Sequence, residues 1–397
     1  MELSQRCLEI APSLTLEIDA RAKRMRAEGI DVIGLGAGEP DFDTPEYIKD
    51  AAREALDSGM TKYTPAAGTL DFRTHICEKL RKDNGLEYQP SQIIVSNGAK
   101  HSLFNTFAAM INPGDEVIIP APYWVTYPEI VKYLGGVPVF VQTREEDGFV
   151  PRAEAVQAAV TPRTKAILIN SPSNPCGAVI SRRTLSEIAA VAKEADCFIV
   201  SDEIYEKLVY DGQKHISVAS VSADAYERTV VVNGLSKAFA MTGWRLGYTA
   251  ANPVITKAMS NLQSQMTSNA NSIAQHAGAI ALTNGESEIA QMVGEFSRRR
   301  LHMCECINRI EGISCRVPFG AFYVMMKISG IFGKKYGDTV INDSLTFVNT
   351  LLESEKVAVV PGAAFGSDDY CRLSYATSYE NVTSGAERIG RFVSALR

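Results

Sequence analysis

The sequence lacks the features that mark secreted and membrane proteins. Eight cysteines are scattered over 397 residues, with no CxxC pair and no spacing typical of a disulfide framework, which favours a reducing compartment. The start of the chain lacks the basic segment and apolar run of a signal peptide, and no segment approaches the ~18 consecutive apolar residues of a membrane span. We therefore expect a cytoplasmic protein without a membrane partner.

Metal-binding patterns are also missing. Cys304 and Cys306 lie close together, but they occupy a helical pattern and have no histidines at matching spacings. We predict that both are buried or half-buried thiols and that the protein holds no metal ion.

Positively charged segments are few. The formal net charge is −6, and the one short basic run is Arg298–Arg300, which we expect on an exposed helical face. About thirty residues precede the glycine-rich segment that starts at Gly34, and they carry no helix-turn-helix signal. A nucleic-acid partner is therefore not expected, and a ligand-sensing DNA-binding regulator is the weakest of the functions considered.

Length and composition favour a globular protein with more than one domain. A chain of 397 residues exceeds the size at which a single hydrophobic core keeps growing. Its 46% apolar and 22% charged residues are ordinary for a globular protein and allow a large core. We expect two domains, or one large and one small.

Apolar strands alternate with helical patterns through the middle of the chain. This alternation predicts an α/β fold with a mostly parallel sheet covered by helices on both faces, and the last third of the chain predicts a smaller α+β domain. Ligands bind at the carboxyl edge of such a sheet. Three predicted strands deliver polar residues to that edge: Lys165–Ile169 before Asn170–Pro175, Cys197–Val200 before Ser201–Tyr205, and Val230–Val232 before Asn233–Lys237.

Lys237 is the first candidate for a reactive group. It stands in otherwise uncharged sequence after the third of these strands, eight residues before Arg245. Burial disfavours the charged form of an amine, and a neutral amine can attack a carbonyl to form a Schiff base. The alternative is an ordinary solvated lysine in a loop, and the spacing alone leaves both interpretations open.

Two glycine-containing segments are candidates for ligand contact. The predicted strand 92–96 is followed by Gly98, Ala99 and a helix, an arrangement in which free backbone N–H groups and the helix dipole can bind a phosphate. Residues 34–38 form a GxGxG pattern, but it runs into Glu39 and not into a helix, so it lacks the context of a dinucleotide-binding loop. Its last glycine, Gly38, can still bring the backbone close to a ligand.

Three other residues have structural interpretations when each is taken alone. Thr44 is predicted to be the N-cap of a helix that has Pro45 at its first position. Tyr63 and Trp124 are predicted to be packing residues, although an aromatic ring at the end of a strand can stack on a planar ligand.

Pyridoxal phosphate is a cofactor that would use these groups together. Its aldehyde reacts with a lysine, its phosphate needs several hydrogen-bond donors, and its protonated pyridine nitrogen needs a buried carboxylate. The predicted partners are Lys237 for the aldehyde; Gly98, Ala99, Ser236 and Arg245 for the phosphate; Asp202 for the nitrogen; and Asn174 and Tyr205 for the ring hydroxyl.

On these residues the chain resembles a known family, the pyridoxal-phosphate-dependent aminotransferases of classes I and II with fold type I. Within that family it is most similar to the bacterial aspartate aminotransferases. The matching segments occur in the family's order over nearly the whole chain: Ala37–Pro45, Lys62–Tyr63, Pro122–Trp124, Asn170–Gly177, Ser201–Tyr205, Ser236–Lys237 with Gly243–Gly247, and Arg372–Ser374.

The resemblance implies a domain division and a catalytic centre. The large cofactor-binding domain would cover residues 46–290, and residues 1–45 and 291–397 would form the small domain. Lys237 would carry the cofactor and move the proton of the substrate α-carbon, with Asp202 and Tyr205 beside it. Arg372 would hold the substrate α-carboxylate, a planar two-point contact that suits a guanidinium.

The resemblance also implies further contacts and a partner subunit. Trp124 would stack on the cofactor ring, and Gly38, Trp124 and Asn174 would lie against the substrate. Tyr63 would reach the phosphate of the neighbouring subunit, which implies a homodimer with shared active sites.

Two departures from the family pattern concern the phosphate and the substrate. Gly234 occupies a position where the family often has serine. No motif identifies the cation that would pair with the distal carboxylate of a dicarboxylic substrate, and the candidates are Lys100, Arg21 and Arg24.

The predicted function is the transfer of an amino group from an L-amino acid to a 2-oxo acid such as 2-oxoglutarate by a ping-pong mechanism. Aspartate and glutamate are the favoured donors. The alternatives are an aromatic or prephenate aminotransferase on the same scaffold, or a different reaction of the same cofactor, such as β-elimination or racemisation.

Overall fold

Half of the described α-helices start at a short polar side chain that accepts one of the first free backbone N–H groups. In the computed structural model, which describes residues 3–397, Ser181 accepts from the N–H of Thr184, and Asp343 accepts from that of Thr346. The described residues form fourteen α-helices: α1 (Gln5–Leu8), α2 (Leu14–Ala27), α3 (Glu46–Asp57), α4 (Leu70–Lys79), α5 (Ala99–Met110), α6 (Thr126–Tyr133), α7 (Ala153–Ala158), α8 (Arg182–Glu194), α9 (Ala223–Arg228), α10 (Pro253–Met266), α11 (Ser272–Asn284), α12 (Glu286–Asn308), α13 (Ser344–Glu355) and α14 (Tyr379–Ser394).

Strands coincide with short runs of apolar, mostly β-branched residues. The described residues form fifteen: β1 (Ile33–Gly34), β2 (Ile93–Asn97), β3 (Glu116–Ala121), β4 (Val137–Gln142), β5 (Thr164–Asn170), β6 (Phe198–Asp202), β7 (Thr229–Gly234), β8 (Leu246–Ala250), β9 (Ser314–Cys315), β10 (Tyr323–Lys327), β11 (Lys335–Tyr336), β12 (Thr339–Val340), β13 (Val357–Ala358), β14 (Val360–Pro361) and β15 (Tyr370–Ser374).

A seven-stranded sheet with the order β2-β8-β7-β6-β5-β3-β4 forms the centre of the larger part of the molecule. All neighbouring pairs are parallel except the two that involve β8, which runs antiparallel between β2 and β7. The sheet is buried on both faces: along β3, Val117 and Ile119 pack with Phe107 of α5, whereas Ile118 packs with Leu185 of α8. The predicted α/β fold with a mostly parallel, helix-covered sheet is confirmed.

A smaller antiparallel sheet with the order β14-β15-β10-β9 lies in the C-terminal part of the chain. Its residues pack into one core with aromatic side chains of the neighbouring helices, including Phe296 of α12, Phe347 of α13 and Phe392 of α14. The division into a domain of residues 46–290 and one of residues 1–45 and 291–397 remains our proposal. Within the described residues, no helix combines the length and apolar character needed to cross a membrane.

The structure corrects two local predictions. Thr44 is not the helix cap: α3 starts after Pro45 with no side-chain cap, and the Thr44 hydroxyl bonds elsewhere. The Arg298–Arg300 run is not an exposed face as a whole, because Arg299 and Arg300 are buried and ion-paired with Asp41 and Asp211. Cys304 and Cys306 are free thiols, one buried and one half-buried, as predicted.

Candidate active site

One cavity of about 650 Å³ opens between the carboxyl edge of the large sheet and the small sheet. Strands β5, β6 and β7 run parallel, so their ends meet there, and Asn170 pairs in register with Asp202. Ten residues that the sequence predicted for the site line this cavity: Gly38, Ala99, Trp124, Asn174, Asp202, Tyr205, Ser236, Lys237, Arg245 and Arg372.

Lys237 lies on the cavity wall in the loop after β7. Its Nζ donates a hydrogen bond to the carbonyl oxygen of Gly38 and lies 5.8 Å from the ring centroid of Phe322. Burial lowers the pKa of this amine to about 8. At pH 7.5 about a quarter of such amines are neutral, against roughly 0.1% of ordinary lysines, so Lys237 can act as a nucleophile.

Asp202 is a buried carboxylate without a cationic partner among the described residues. One oxygen accepts a hydrogen bond from the Tyr127 hydroxyl at 2.7 Å, and the other accepts from the backbone N–H of Ile204 at 3.2 Å. Burial raises the pKa of Asp202 to about 6, although both hydrogen bonds oppose the shift. A protonated nitrogen base against this carboxylate would supply the charge that the protein leaves uncompensated.

Arg372 is a buried cation without a carboxylate partner in the described part of the chain. It lies in β15 with 3% of its surface exposed, and it donates to Asn174 Oδ1 at 3.0 Å and to the carbonyl oxygen of Gly36 at 2.9 Å. Its Nε has no hydrogen-bond partner. Burial lowers its pKa, and the ring of Tyr323 lies 4.3 Å from the guanidinium. An anionic ligand would compensate the charge of this guanidinium.

Two tyrosines meet beside these groups. The hydroxyls of Tyr205 and Tyr323 lie 2.9 Å apart, and both side chains are buried. Burial raises the pKa of both phenols, so each stays protonated and available as a hydrogen-bond donor near neutral pH.

The end of β2 and the start of α5 provide the features of a phosphate site. Gly98 has φ +85° and precedes α5 without a side-chain cap, which leaves the first N–H groups of the helix free. The positive φ would strain any residue with a side chain at this position, and a Cβ on Gly98 would also come within 2.3 Å of the end of the Arg245 side chain. Arg245 forms no ion pair among the described residues, and Ser236 lies on the same cavity wall.

Gly234, the departure from the family pattern, also has no room for a side chain. A Cβ there would lie 2.7 Å from the carbonyl oxygen of Leu246 and 3.0 Å from the Cα of Gly247. The close pairing of β7 with β8 therefore excludes serine at this position in the present backbone.

The three candidates for binding a second carboxylate differ in their surroundings. Lys100 lines the cavity with its Nζ 5.0 Å from the ring centroid of Trp124, and it forms no ion pair among the described residues. Burial and then Arg245 lower its pKa. Arg21 is outside the cavity wall and is bound to Asn349 and Glu353, and Arg24 is also absent from the wall.

Tyr63 is the predicted site residue that does not meet the others. It lies outside the cavity wall, and its side chain is 91% exposed. Its predicted role concerns a neighbouring subunit, so this exposure leaves the role as a prediction.

Sequence reasoning missed Tyr127 and Tyr323, and it placed Asn170 at the sheet edge without giving it a role of its own; all three line the cavity. Asn170 directly follows the β5 apolar run, and its place at a strand end was a usable signal. Tyr127 and Tyr323 occur in amphipathic or apolar patterns, where a catalytic tyrosine and a core tyrosine look the same.

A group of potential metal ligands, Glu203, Glu206 and His215, has ligand atoms within 4.8 Å of one another. Every carboxylate oxygen in the group already accepts at least one hydrogen bond from a serine, asparagine, histidine or lysine side chain. The carboxylates of the group are thus engaged in a hydrogen-bond network, and of its ligand atoms only Nδ1 of His215 lacks a partner among the described residues.

Comparisons with known proteins agree on one family. The family model described as aminotransferase class I and II matches residues 30–389. The chain is similar to the aspartate aminotransferase of Bacillus subtilis (strain 168), with 49% identity over 395 residues and 99% coverage of each chain. It is 45% identical to the aspartate/prephenate aminotransferase of Nitrosomonas europaea, covering 99% of this chain and 100% of the relative. The solved structure of an aspartate aminotransferase from Rhizobium meliloti matches with a TM-score of 0.97, 43% identity and 100% coverage of both chains.

Proposed function

The chain belongs to the class I and II aminotransferases, and we propose that L-aspartate and L-glutamate are its amino donors. The acceptor is a 2-oxo acid such as 2-oxoglutarate, and the exchange follows a ping-pong scheme with pyridoxal 5′-phosphate as the cofactor. The observation that carries the amino-acid substrate is Arg372, a buried cation that has no counter-ion among the described residues and lines the same cavity as Lys237, whereas the choice of a dicarboxylic donor depends on Lys100.

The residues present fit the cofactor. Gly98, Ala99, Ser236 and Arg245 would hold its phosphate, because free N–H groups at a helix start and an unpaired guanidinium favour an anion. Asp202 would face the pyridine nitrogen, since this carboxylate is buried and forms no ion pair with any described residue.

When bound, pyridoxal phosphate supplies the carbonyl that receives the amino group and the electron-withdrawing ring. The protein orients the bound cofactor and substrate and supplies the groups that transfer protons. The Lys237 amine, with its pKa near 8, is neutral often enough to attack a carbonyl and later to accept the α-proton. Tyr205 and Asn174 provide donors beside Asp202, and the Tyr127 hydroxyl keeps the Asp202 carboxylate in place.

Substrate binding follows from the guanidinium of Arg372. A carboxylate can accept from the two terminal nitrogens of Arg372 by displacing the carbonyl oxygen of Gly36 or the amide of Asn174. This places an amino acid with its α-carbon between Arg372 and Lys237.

Lys100 supports a dicarboxylic donor. It is the one candidate cation of the three that lines the cavity, and no described carboxylate pairs with it. Prephenate is the second candidate substrate, since the Nitrosomonas europaea relative carries both names and prephenate also has a second carboxylate.

A panel of half-reactions tests the substrate proposal. The protein loaded with pyridoxal phosphate is mixed with single amino acids, and the absorbance change of the cofactor is recorded without a 2-oxo acid. Aspartate and glutamate should react fastest, and Lys100→Gln should slow them about ten-fold or more while alanine is unaffected, because a charge-assisted hydrogen bond contributes roughly 1.5–3 kcal/mol. Fastest reaction with aromatic amino acids would overturn the assignment, and release of ammonia and pyruvate without an acceptor would instead indicate a β-lyase.

We also propose a cytoplasmic homodimer with shared active sites. All eight cysteines are free thiols, which suits a reducing compartment. Three large apolar or aromatic residues of one short stretch of the chain, Met60, Tyr63 and Leu70, are exposed in the single chain, as expected for a surface that a second copy covers. Sedimentation of the purified protein as a monomer at micromolar concentration would contradict the dimer.

A further inference from the structure

The segment 38–44 lies along the loop that carries Lys237. Gly38 is a predicted ligand contact and Thr44 a predicted helix cap, whereas Glu39, Asp41 and Asp43 of this segment have no predicted role. Four hydrogen bonds join it to the loop 237–244: Lys237 Nζ to the carbonyl oxygen of Gly38, Thr242 Oγ1 to Glu39 Oε2 at 2.7 Å, Thr44 Oγ1 to the carbonyl oxygen of Ala240 at 2.7 Å, and Trp244 Nε1 to Thr44 Oγ1 at 3.0 Å.

The segment is also fixed on its other side. Asp41 receives hydrogen bonds at 2.8 Å on both carboxylate oxygens from Arg299 of α12, and Phe42 packs edge-on against Phe296 of the same helix. A charge-assisted pair and an aromatic contact at one place restrict the segment more than either alone. Gly38 and Glu39 are therefore held at a defined distance from the lysine loop.

Glu39 adds a negative charge to the wall of the cavity. The other carboxylates on that wall are Asp202, at the sheet edge, and Asp19, which is paired with Lys23. Four charged groups act on the pKa of the Lys237 amine: Glu39 and Asp202 raise it, and Arg372 and Arg245 lower it. After burial, which lowers the pKa of Lys237, Glu39 has the largest influence and raises it.

We propose, as an extension of the proposed function, that Glu39 is a positioning residue for Lys237. Bound by the hydroxyl of Thr242, it fastens the glycine-rich segment to the lysine loop and fixes a negative charge near the reacting amine.

The two parts of this role have different physical consequences. The charge favours the protonated amine, which is the form that donates a proton, and offsets the two arginines that favour the neutral form. The hydrogen bond keeps Gly38 beside Lys237, so losing it should disturb the binding of the amino acid more than the state of the amine. Separate substitutions can therefore test them.

The effect of the charge is tested by measuring how the rate at which Lys237 captures the cofactor depends on pH. Cofactor-free protein is incubated with pyridoxal 5′-phosphate at a series of pH values; the neutral amine condenses with the aldehyde with loss of one water, and borohydride reduces the C=N bond to a stable secondary amine. The modified peptide is quantified by mass spectrometry. Glu39→Gln keeps an oxygen acceptor for Thr242 and removes the charge, so the half-maximal initial rate should shift to lower pH by about one unit.

Asp43→Asn is the matched control, because it removes the same charge from the same segment. Asp43 faces a separate surface pocket with Phe42 and Trp244, and its profile should coincide with that of the unmodified protein. A Glu39→Gln profile that also coincides would overturn the proposal. Failure of the unmodified protein to capture pyridoxal phosphate at any pH would instead overturn the cofactor assignment.

The hydrogen bond is tested with Thr242→Val and Thr242→Ser in steady-state kinetics. Thr242→Val removes the donor and leaves the charge, so KM for the amino donor should rise about five- to ten-fold with a smaller change in kcat, and the capture profile should move less than in Glu39→Gln. Thr242→Ser keeps the hydroxyl and should restore KM. Unchanged KM in Thr242→Val, or no recovery in Thr242→Ser, would remove this part of the proposal.

Discussion

Removing the charge of Glu206 should destabilise the fold behind the active site. Glu206 pairs with Lys79 of α4 and accepts hydrogen bonds from Asn84 at 3.0 Å and Asn233 at 2.9 Å. Both members of the ion pair are buried, with 7% and 8% of their side chains exposed. The network joins α4 to the end of β7 and to the turn that carries Asp202 and Tyr205.

The size of the effect follows from the pKa of Glu206. Burial alone would raise this pKa, but Lys79, then His215 and further hydrogen bonds outweigh burial and lower it from 4.5 to about 2. A shift of about 2.5 units corresponds to roughly 3 kcal/mol of stability near neutral pH. The same order is expected for a broken buried ion pair, about 3–5 kcal/mol, because Glu206→Gln leaves the charge of Lys79 only partly compensated.

Thermal unfolding followed by circular dichroism measures this effect. With an unfolding entropy of about 2.1 cal/mol/K per residue, a loss of 3 kcal/mol in a chain of 397 residues lowers Tm by about 4 °C. Glu286→Gln is the control, because Glu286 pairs with Lys82 on the surface, where both side chains are mostly exposed, and little measurable change is expected. The double variant Lys79→Met/Glu206→Gln should recover more than half of the loss.

The pH dependence has a definite sign. Because the folded-state pKa of Glu206 is lower than the unfolded one, the stabilisation is complete above pH 4.5 and disappears as the pH falls towards 2. The difference in stability between the unmodified protein and Glu206→Gln should therefore shrink over this interval. Equal effects of Glu206→Gln and Glu286→Gln at pH 7, or a difference that stays constant down to pH 2, would refute the reasoning.

Three further predictions concern the cavity directly. Lys237→Ala should abolish both the capture of pyridoxal phosphate and turnover, measured by absorbance and by a coupled assay, and retained turnover would contradict its assigned role. Arg372→Lys keeps the charge but loses the two-point fork, so KM for every amino donor should rise about 10–100-fold in steady-state assays; an unchanged KM would remove Arg372 from carboxylate binding. Asp202→Asn should weaken cofactor binding about 10–100-fold at pH 8, because Asp202, with its pKa near 6, is ionised there, and the loss should be much smaller at pH 5. Titration of the cofactor-free protein with pyridoxal phosphate measures this. An equal loss at both pH values would contradict the pairing of Asp202 with a protonated nitrogen.

The sequence predicted the main sheet because strands in a parallel sheet are buried on both faces. Runs such as that of β5 are apolar throughout, and a polar residue marks the point where each one reaches the edge. Strand β8 was missed, because its residues Leu246–Ala250 directly follow the loop that carries Lys237 and Arg245 and contain a glycine. Only its pairing with both β2 and β7 makes it a strand and brings Arg245 against Gly98.

The burial of charged side chains was the property that the sequence predicted least well. Arg299 and Arg300 stand in a helix with the pattern of an exposed face, and arginines are seldom buried unless paired. Their partners, Asp41 and Asp211, are 258 and 89 residues away in the chain, so local patterns held no sign of the pairs. Thr44 was assigned to a helix cap for the same reason, since its actual partner, Ala240, is 196 residues distant.

The sequence by itself determined the elements and most of the chemistry. Local periodicity and strand ends made Lys237, Asp202 and Asn174 candidates, because residue type and position relative to an apolar run are local properties, and the family resemblance then implied their roles. The tertiary structure decided what surrounds them: which charges lie near the Lys237 amine, that Arg372 has a free Nε, and that Lys100 and not Arg21 lines the cavity. Protonation and specificity depend on burial and on distances between residues far apart in the chain, and only the folded chain sets these.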